Sequence, residues 1–82
     1  MKLYPVMINL EGKKAVVVGG GGVALRKVRD LLECGARVTV IAPEMHPEID
    51  GLAATGAGDL TIVRRDYRAG DCDGSMLVFS AT

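Results

Sequence analysis

The chain has 82 residues, with ten basic and ten acidic side chains and therefore no net charge. This length allows at most one domain, and a chain of this size buries only about 60–65% of its unfolded surface. There is no basic excess that would favour nucleic acid or an anionic membrane as a partner.

The rest of the composition is typical of a protein in a reducing compartment. No apolar run is long enough to span a bilayer, and residues 1–5 do not begin a signal peptide. Cys34 and Cys72 lie far apart, without the spacing of metal ligands, and are expected to be reduced thiols. We therefore expect a cytoplasmic location and no metal site.

Strands and helices are predicted to alternate along the chain. Apolar β-branched runs predict buried strands, and apolar residues at helical spacing predict helices. In chain order we expect an extended segment (3–10), a strand (15–18), a helix (22–34), a strand (37–41), a helix (47–55), a strand (60–64), an irregular connection (67–74) and a strand (76–80). Gly35 and Gly56 follow the two helices as C-terminal caps, and Pro47 opens the second.

This order, β-α-β-α-β-β, predicts the first half of a Rossmann-like α/β fold, a parallel sheet with strand order 3-2-1-4. Right-handed crossovers place the carboxyl ends of the first and fourth strands side by side. We expect residues 1–82 to form one such domain, with a crevice where the strand order reverses. The fourth strand would keep a bare edge, so we expect a piece of a longer protein, truncated after this strand.

Four consecutive glycines connect the first strand to the first helix. Gly19-x-Gly21-x-x-Ala24 fits the dinucleotide-binding fingerprint, with alanine in the third place. Gly19 permits a tight turn, Gly21 lets a pyrophosphate approach the main chain, and Ala24 lets the helix pack closely. Backbone N–H groups and the helix dipole then face the phosphates. The alternative is a turn that binds nothing, although four glycines cost more backbone entropy than a turn alone requires.

The acidic residue that usually contacts the adenosine ribose is missing from its expected place, which Ala42 occupies. Glu44 lies two residues further on and is expected either to reach a ribose hydroxyl or to be a solvated loop carboxylate. No Arg or Lys lies between Ala42 and Glu48 to bind a 2′-phosphate, which favours NAD over NADP. His46, in the same loop, is expected to be a surface residue.

Four blocks of sequence occur together. They are Tyr4-Pro5-Val6-Met7-Ile8-Asn9-Leu10, Val17-Val18-Gly19-Gly20-Gly21-x-Val23-Ala24-x-Arg26-Lys27, Gly35-Ala36-x-Val38-Thr39-Val40-x-Ala42-Pro43 and Asp73-Gly74-x-x-Leu77-Val78-x-Ser80-Ala81-Thr82. In this combination, which extends over essentially the whole chain, the sequence resembles the N-terminal domain of the precorrin-2 dehydrogenase / sirohydrochlorin ferrochelatase family, the siroheme synthases. The second block is more specific than the bare fingerprint.

The resemblance implies an oxidoreductase that converts precorrin-2 to sirohydrochlorin, with NAD⁺ as the hydride acceptor. Many members of the family also insert Fe²⁺ to make siroheme, and the parent protein is expected to be a homodimer. The implied cofactor contacts are Gly19, Gly20, Gly21, Gly22 and Val23 at the pyrophosphate, Ala42, Pro43 and Glu44 at the adenosine ribose, and Ser80, Ala81 and Thr82 at the nicotinamide.

The resemblance places the catalytic aspartate just beyond Thr82, so no catalytic residue is assigned. We expect the 82-residue chain alone to lack dehydrogenase and chelatase activity. Arg26 and Lys27 are expected either to face the carboxylates of the tetrapyrrole or to form a charged, exposed helix face.

Two other classes of function stay open. The first is a regulatory NAD-sensing module without catalysis, which usually has an acidic residue at the place of Ala42. The second is a structural α/β domain, which needs no glycine at position 21. Loss of NAD⁺ affinity in a folded Gly21→Val variant would exclude the structural domain.

Overall fold

A computed structural model describes residues 9–56 and 58–81. Its elements, in chain order, are β1 (Lys14–Val18), α1 (Gly22–Glu33), β2 (Arg37–Ile41), α2 (Pro47–Thr55), β3 (Leu60–Val63) and β4 (Leu77–Ser80). The predicted strands and helices are confirmed, with bounds that agree to within one residue. Most of the predicted extended segment 3–10 lies outside the described residues.

The four strands form one parallel sheet in the order β3-β2-β1-β4, which confirms the predicted topology. Val17 in β1 lies between Val40 in β2 and Phe79 in β4. The amide of Ala81 donates a 2.8 Å hydrogen bond to the carbonyl of Val18 just beyond these pairs. The carboxyl ends of β1 and β4 are therefore adjacent, as the predicted crevice requires.

The core lies between this sheet and the helices α1 and α2. The buried apolar residues of the cluster are Leu10, Ala15, Val17, Ala24, Leu25, Val28, Leu31, Ala36, Val38, Val40 and Ile49. Ala24 has no exposed surface, which confirms that its small side chain lets α1 pack closely on the sheet. Val23, by contrast, is 63% exposed. It shares a helical stripe with Arg26 and Lys27, three and four residues on, and that stripe faces away from the core.

Both helices end at the predicted glycines. Gly35, with a φ of 78°, donates to the carbonyl of Leu32, and Ala36 donates to that of Leu31. These two bonds form a Schellman motif, in which the left-handed conformation favours glycine. Gly56 ends α2 in the same conformation, with a φ of 65°.

Asp71 organises the connection between β3 and β4. Its carboxylate accepts two hydrogen bonds of 2.7 and 2.8 Å from the Arg65 guanidinium and one of 2.6 Å from the amide of Arg68. The bonds to Arg65 and then the amide hold the pKa of the Asp71 carboxyl well below its ordinary value. The same pair raises the pKa of Arg65. This connection leads from β3 to β4, which pairs with β1.

Both cysteines are free thiols. In the same connection, the Tyr67 hydroxyl donates a 3.0 Å hydrogen bond to the Cys72 sulfur. This bond, together with the cost of burying the charged form, raises the pKa of Tyr67. The contact therefore fixes two side chains on the surface of the β3–β4 connection.

Candidate dinucleotide-binding site

Gly19 joins the carboxyl ends of three strands. Its φ of 128° lies in a region that side chains other than glycine rarely adopt. Its amide donates a 2.9 Å hydrogen bond to the carbonyl of Ile41, at the end of β2. A Cβ at this position would lie 2.9 Å from the carbonyl oxygen of Ala81, after β4. Both the backbone angle and the close approach of β4 therefore require glycine.

Gly20 packs against the loop that follows β2. A Cβ here would overlap the backbone carbonyl oxygen of Glu44, and it would lie 3.1 Å from the Cα of Met45. The carbonyl of Gly20 in turn accepts a 2.6 Å hydrogen bond from the amide of His46. The fingerprint provides no specific role for this glycine. The family resemblance implied a pyrophosphate contact for Gly20, and nothing in the sequence indicated its packing against this loop.

Gly21 and Gly22 face open space. A Cβ at either position would meet no atom within 4 Å, so packing within the described protein does not require glycine there. Both residues are exposed. The absent side chains instead leave the main chain accessible to a ligand, which is the role that the fingerprint predicts for Gly21.

The first turn of α1 has no side-chain cap. Gly21 is the N-cap residue, it makes no side-chain hydrogen bond, and no acidic residue lies in the first turn. The first N–H groups of a helix have no partner within the helix, and they lie at its positive end. The amides at the start of α1 are therefore available to an anion.

The second helix begins differently. The Nδ1 atom of His46 accepts a 3.1 Å hydrogen bond from the amide of Glu48 and so caps α2. Glu48 and Asp50 place negative charge in its first turn. His46 was predicted to be a surface residue, and the sequence did not indicate that it is a helix cap. Of the two helices in residues 9–56 and 58–81, α1 is therefore the one whose first turn has neither a side-chain cap nor an acidic residue, and it begins at the glycine turn.

The loop after β2 contributes the second predicted group of residues. Ala42 is 6% exposed, whereas Pro43 and Glu44 are exposed. The Cβ of an acidic residue at position 42, where the fingerprint usually has one, would therefore be nearly buried. The main chain of Glu44 contacts Gly20, so Glu44 lies beside the glycine turn with its side chain in solvent.

The end of β4 contributes the third group. Ser80 is exposed and Ala81 is partly buried beside Gly19, while Thr82 lies outside the described residues. The structure thus brings the glycine turn, the loop from Ala42 to Glu44 and the end of β4 together at one edge of the sheet. This edge is the topological switch point, where ligands of open α/β sheets bind.

The turn fits a dinucleotide cofactor. Open space over two glycines, an uncapped helix start and a switch point are the three features that a pyrophosphate requires. Within residues 9–56 and 58–81, no three His, Cys, Asp or Glu side chains are placed to hold a metal ion. In the same two segments, no helix is both long and apolar enough to cross a membrane.

Comparisons with known proteins agree with this geometry. The sequence profile of the NAD_binding_7 family, described as "Putative NAD(P)-binding", matches residues 6–82. Siroheme synthases of Pseudomonas aeruginosa (strain LESB58) and Pseudomonas paraeruginosa (strain DSM 24068 / PA7) are each 46% identical to the chain over 82 residues. The match covers 100% of this chain and 17% of each relative, so the chain spans a small part of the curated relatives it matches.

A solved structure shows the same likeness in three dimensions. The protein named "SirC, precorrin-2 dehydrogenase" superposes with a TM-score of 0.88 at 35% sequence identity. The superposition covers 98% of this chain and 39% of that protein. The fold is therefore Rossmann-like, as predicted. Since the matching profile covers nearly all of the sequence, the chain belongs to the NAD_binding_7 family of NAD(P)-binding domains.

Proposed function

We propose that this chain is the NAD-binding part of a precorrin-2 dehydrogenase, which oxidises precorrin-2 to sirohydrochlorin in siroheme biosynthesis. Residues 1–82 act in this proposal as one NAD(P)-binding domain. The observation that carries it is the uncapped glycine turn at the switch point of the sheet. The likeness to siroheme synthases and to a precorrin-2 dehydrogenase supports the choice of substrate.

The proposed cofactor contacts follow the three groups of the site. Gly19, Gly20, Gly21, Gly22 and Val23 hold the pyrophosphate, Ala42, Pro43 and Glu44 border the adenosine ribose, and Ser80, Ala81 and Thr82 line the nicotinamide side. The amides at the start of α1 bind the phosphate oxygens. Gly20 holds the loop from Ala42 to His46 against the turn. When bound, NAD⁺ supplies the hydride acceptor, and the protein positions it.

The choice of NAD over NADP rests on the loop after β2. An added 2′-phosphate needs a cationic partner, and the loop from Ala42 to Glu48 contains no Arg or Lys. Glu44 is exposed beside the turn, where its charge would repel a phosphate. We therefore propose that NAD⁺ binds more tightly than NADP⁺.

The parent protein is proposed to supply the rest of the activity. No residue of this chain is assigned as catalytic, because the family resemblance places the aspartate beyond Thr82. Insertion of Fe²⁺ into sirohydrochlorin and homodimer formation are parts of the same proposal. Free thiols at Cys34 and Cys72 support a cytoplasmic location, where cysteines stay reduced.

A chimera tests the proposed reaction. The chain would replace the 82 aligned residues of the Pseudomonas aeruginosa siroheme synthase. Formation of NADH from precorrin-2 and NAD⁺, followed by absorbance, is the expected result, and a Gly21→Val chimera serves as the control. A folded chimera that binds NAD⁺ but leaves precorrin-2 unchanged would contradict the proposed reaction and favour an NAD-sensing module.

A further inference from the structure

A cationic stripe lies on α1 next to the glycine turn. Val23, Arg26 and Lys27 are three and four residues apart, so they lie on one side of the helix. Together with Gly22 they line an open hollow of about 570 Å³. Arg26 is exposed and Lys27 is partly buried. The hollow therefore adjoins the proposed pyrophosphate site, with which it shares Gly22 and Val23, and Arg26 and Lys27 extend it along α1.

Neither cation has an acidic partner within the described protein. The ion pairs are Arg29–Glu48, Arg64–Asp50 and Arg65–Asp71. All ten acidic side chains of the sequence belong to residues 9–56 and 58–81, and none comes within 4.0 Å of Arg26 or Lys27. Three other arginines of the chain are thus neutralised locally, while these two neighbouring charges are available to a ligand.

Lys27 is fixed toward β4. Its Nζ atom lies 5.1 Å from the centroid of the Phe79 ring, a distance typical of a cation–π interaction. Phe79 precedes Ser80, the first of the residues assigned to the nicotinamide side. The ammonium is therefore held against β4, the strand whose carboxyl end is assigned to the nicotinamide side.

The stripe combines charge with an apolar surface. Val23 is 63% exposed at the rim of the hollow, beside the two cations. The guanidinium of Arg26 has the planar fork of donors that suits a carboxylate, and Lys27 offers a compact charge. An anionic ligand with an apolar ring, such as a porphyrin with peripheral carboxylates, matches this arrangement.

We propose that Arg26 and Lys27 bind carboxylates of the tetrapyrrole substrate and position its ring toward the nicotinamide. This inference rests on the proposed function, because the tetrapyrrole is the substrate named there. Arg26 and Lys27 are positioning residues, since they bind the periphery of the substrate and take part in no bond that changes.

The test is a titration of the 82-residue chain with uroporphyrin III, an octacarboxylate porphyrin, followed by porphyrin fluorescence with NAD⁺ present. Because exposed charge pairs contribute little individually, Arg26→Gln and Lys27→Gln should each weaken binding by up to about fivefold, and the double variant by about tenfold. Lys13→Gln makes the same change of charge at the opposite end of the sheet and should leave affinity within about twofold. Arg26→Lys and Lys27→Arg keep the positive charge and should lose less uroporphyrin affinity than the corresponding glutamine variants.

Further arms separate charge recognition from other causes. Coproporphyrin, which has four carboxylates, should bind more weakly than uroporphyrin, and added salt should weaken both. The NAD⁺ affinity of both glutamine variants should match that of the wild-type chain. A parallel loss of NAD⁺ affinity would assign the cations to the dinucleotide and overturn the inference.

The outcomes also separate this inference from the proposed function. A chain that binds NAD⁺ but not uroporphyrin would overturn the role of Arg26 and Lys27 and leave the proposed NAD⁺ binding intact. If Lys13→Gln and Lys27→Gln lost equal uroporphyrin affinity, the loss would be due to the net charge of the chain alone, and the inference would be overturned as well. A folded chain that binds neither compound would contradict both proposals.

Discussion

The carbonyl of Gly20 accepts a 2.6 Å hydrogen bond from the amide of His46, which ties the glycine turn to the loop after β2. The same His46 caps α2 through its Nδ1 atom. Both bonds are made by His46, where the loop leads into α2, so this end of the loop is held by the turn and by the helix. The turn and this loop therefore form one structural unit.

Gly20→Ala should destabilise the protein. The new methyl group would overlap the carbonyl of Glu44, and one of the two segments would have to move. We expect a loss of about 1–3 kcal/mol in the free energy of unfolding, the usual cost of overpacking, together with weaker NAD⁺ binding. Urea denaturation and NAD⁺ titration measure the two effects. Unchanged stability in Gly20→Ala would show that the loop is not packed on the turn.

Gly21→Ser should separate binding from stability. The position is an N-cap with extended backbone angles, where serine is favoured over glycine by a few tenths of a kcal/mol. The added side chain occupies the open space proposed for the pyrophosphate. We expect stability to be kept or slightly raised while NAD⁺ affinity falls about tenfold, which is about 1.4 kcal/mol.

Gly51→Ala is the matched control for this variant. Gly51 lies inside α2, where a Cβ would meet nothing within 4 Å, so alanine should stabilise the helix by about 0.5–1 kcal/mol. Its NAD⁺ affinity should equal that of the wild type. If Gly21→Ser bound NAD⁺ as tightly as Gly51→Ala does, the pyrophosphate would not lie over Gly21.

His46→Ala should weaken the start of α2. The variant removes the acceptor for the amide of Glu48, and loss of an N-cap typically costs about 0.5–2 kcal/mol. His46→Asn retains a capping acceptor and should recover most of the loss in urea denaturation. Equal stability of the alanine and asparagine variants would rule out the capping role.

Stability should fall in acid through Asp71. The pKa of this carboxyl is lowered in the folded protein by Arg65 and by the amide of Arg68. A lowered folded pKa stabilises the protein above the unfolded value of about 3.9 and loses that contribution as pH falls toward the folded value. The difference in urea midpoint between wild type and Asp71→Asn should be largest near pH 7 and shrink below about pH 4. A difference that does not vary with pH would contradict this role.

Local patterns predicted the elements of the fold because each has a local cause. Buried β-branched runs specify strands, and Gly35 and Gly56 end helices since both adopt positive φ. The tight turn at Gly19 and the close packing at Ala24 could be predicted because both belong to the short strand-turn-helix unit. The position of the switch point could be predicted because crossovers between parallel strands are right-handed.

The unpredicted features depend on contacts that are distant in sequence. Gly20 meets Glu44 across 24 positions, and Lys27 meets Phe79 across 52. No periodicity within one element encodes such a pair. The exposure of Val23 had a local signal, since its helical neighbours at three and four positions are both cations.

Isothermal titration of the folded chain with NAD⁺ and NADP⁺ determines whether the glycine turn binds a dinucleotide. Circular dichroism first confirms that the chain is folded. We expect saturable binding of one NAD⁺ per chain, with weaker binding of NADP⁺ because the loop from Ala42 to Glu48 has no Arg or Lys. A folded chain that gives no binding heat with either dinucleotide at several temperatures would contradict the assignment of the glycine turn as a cofactor site.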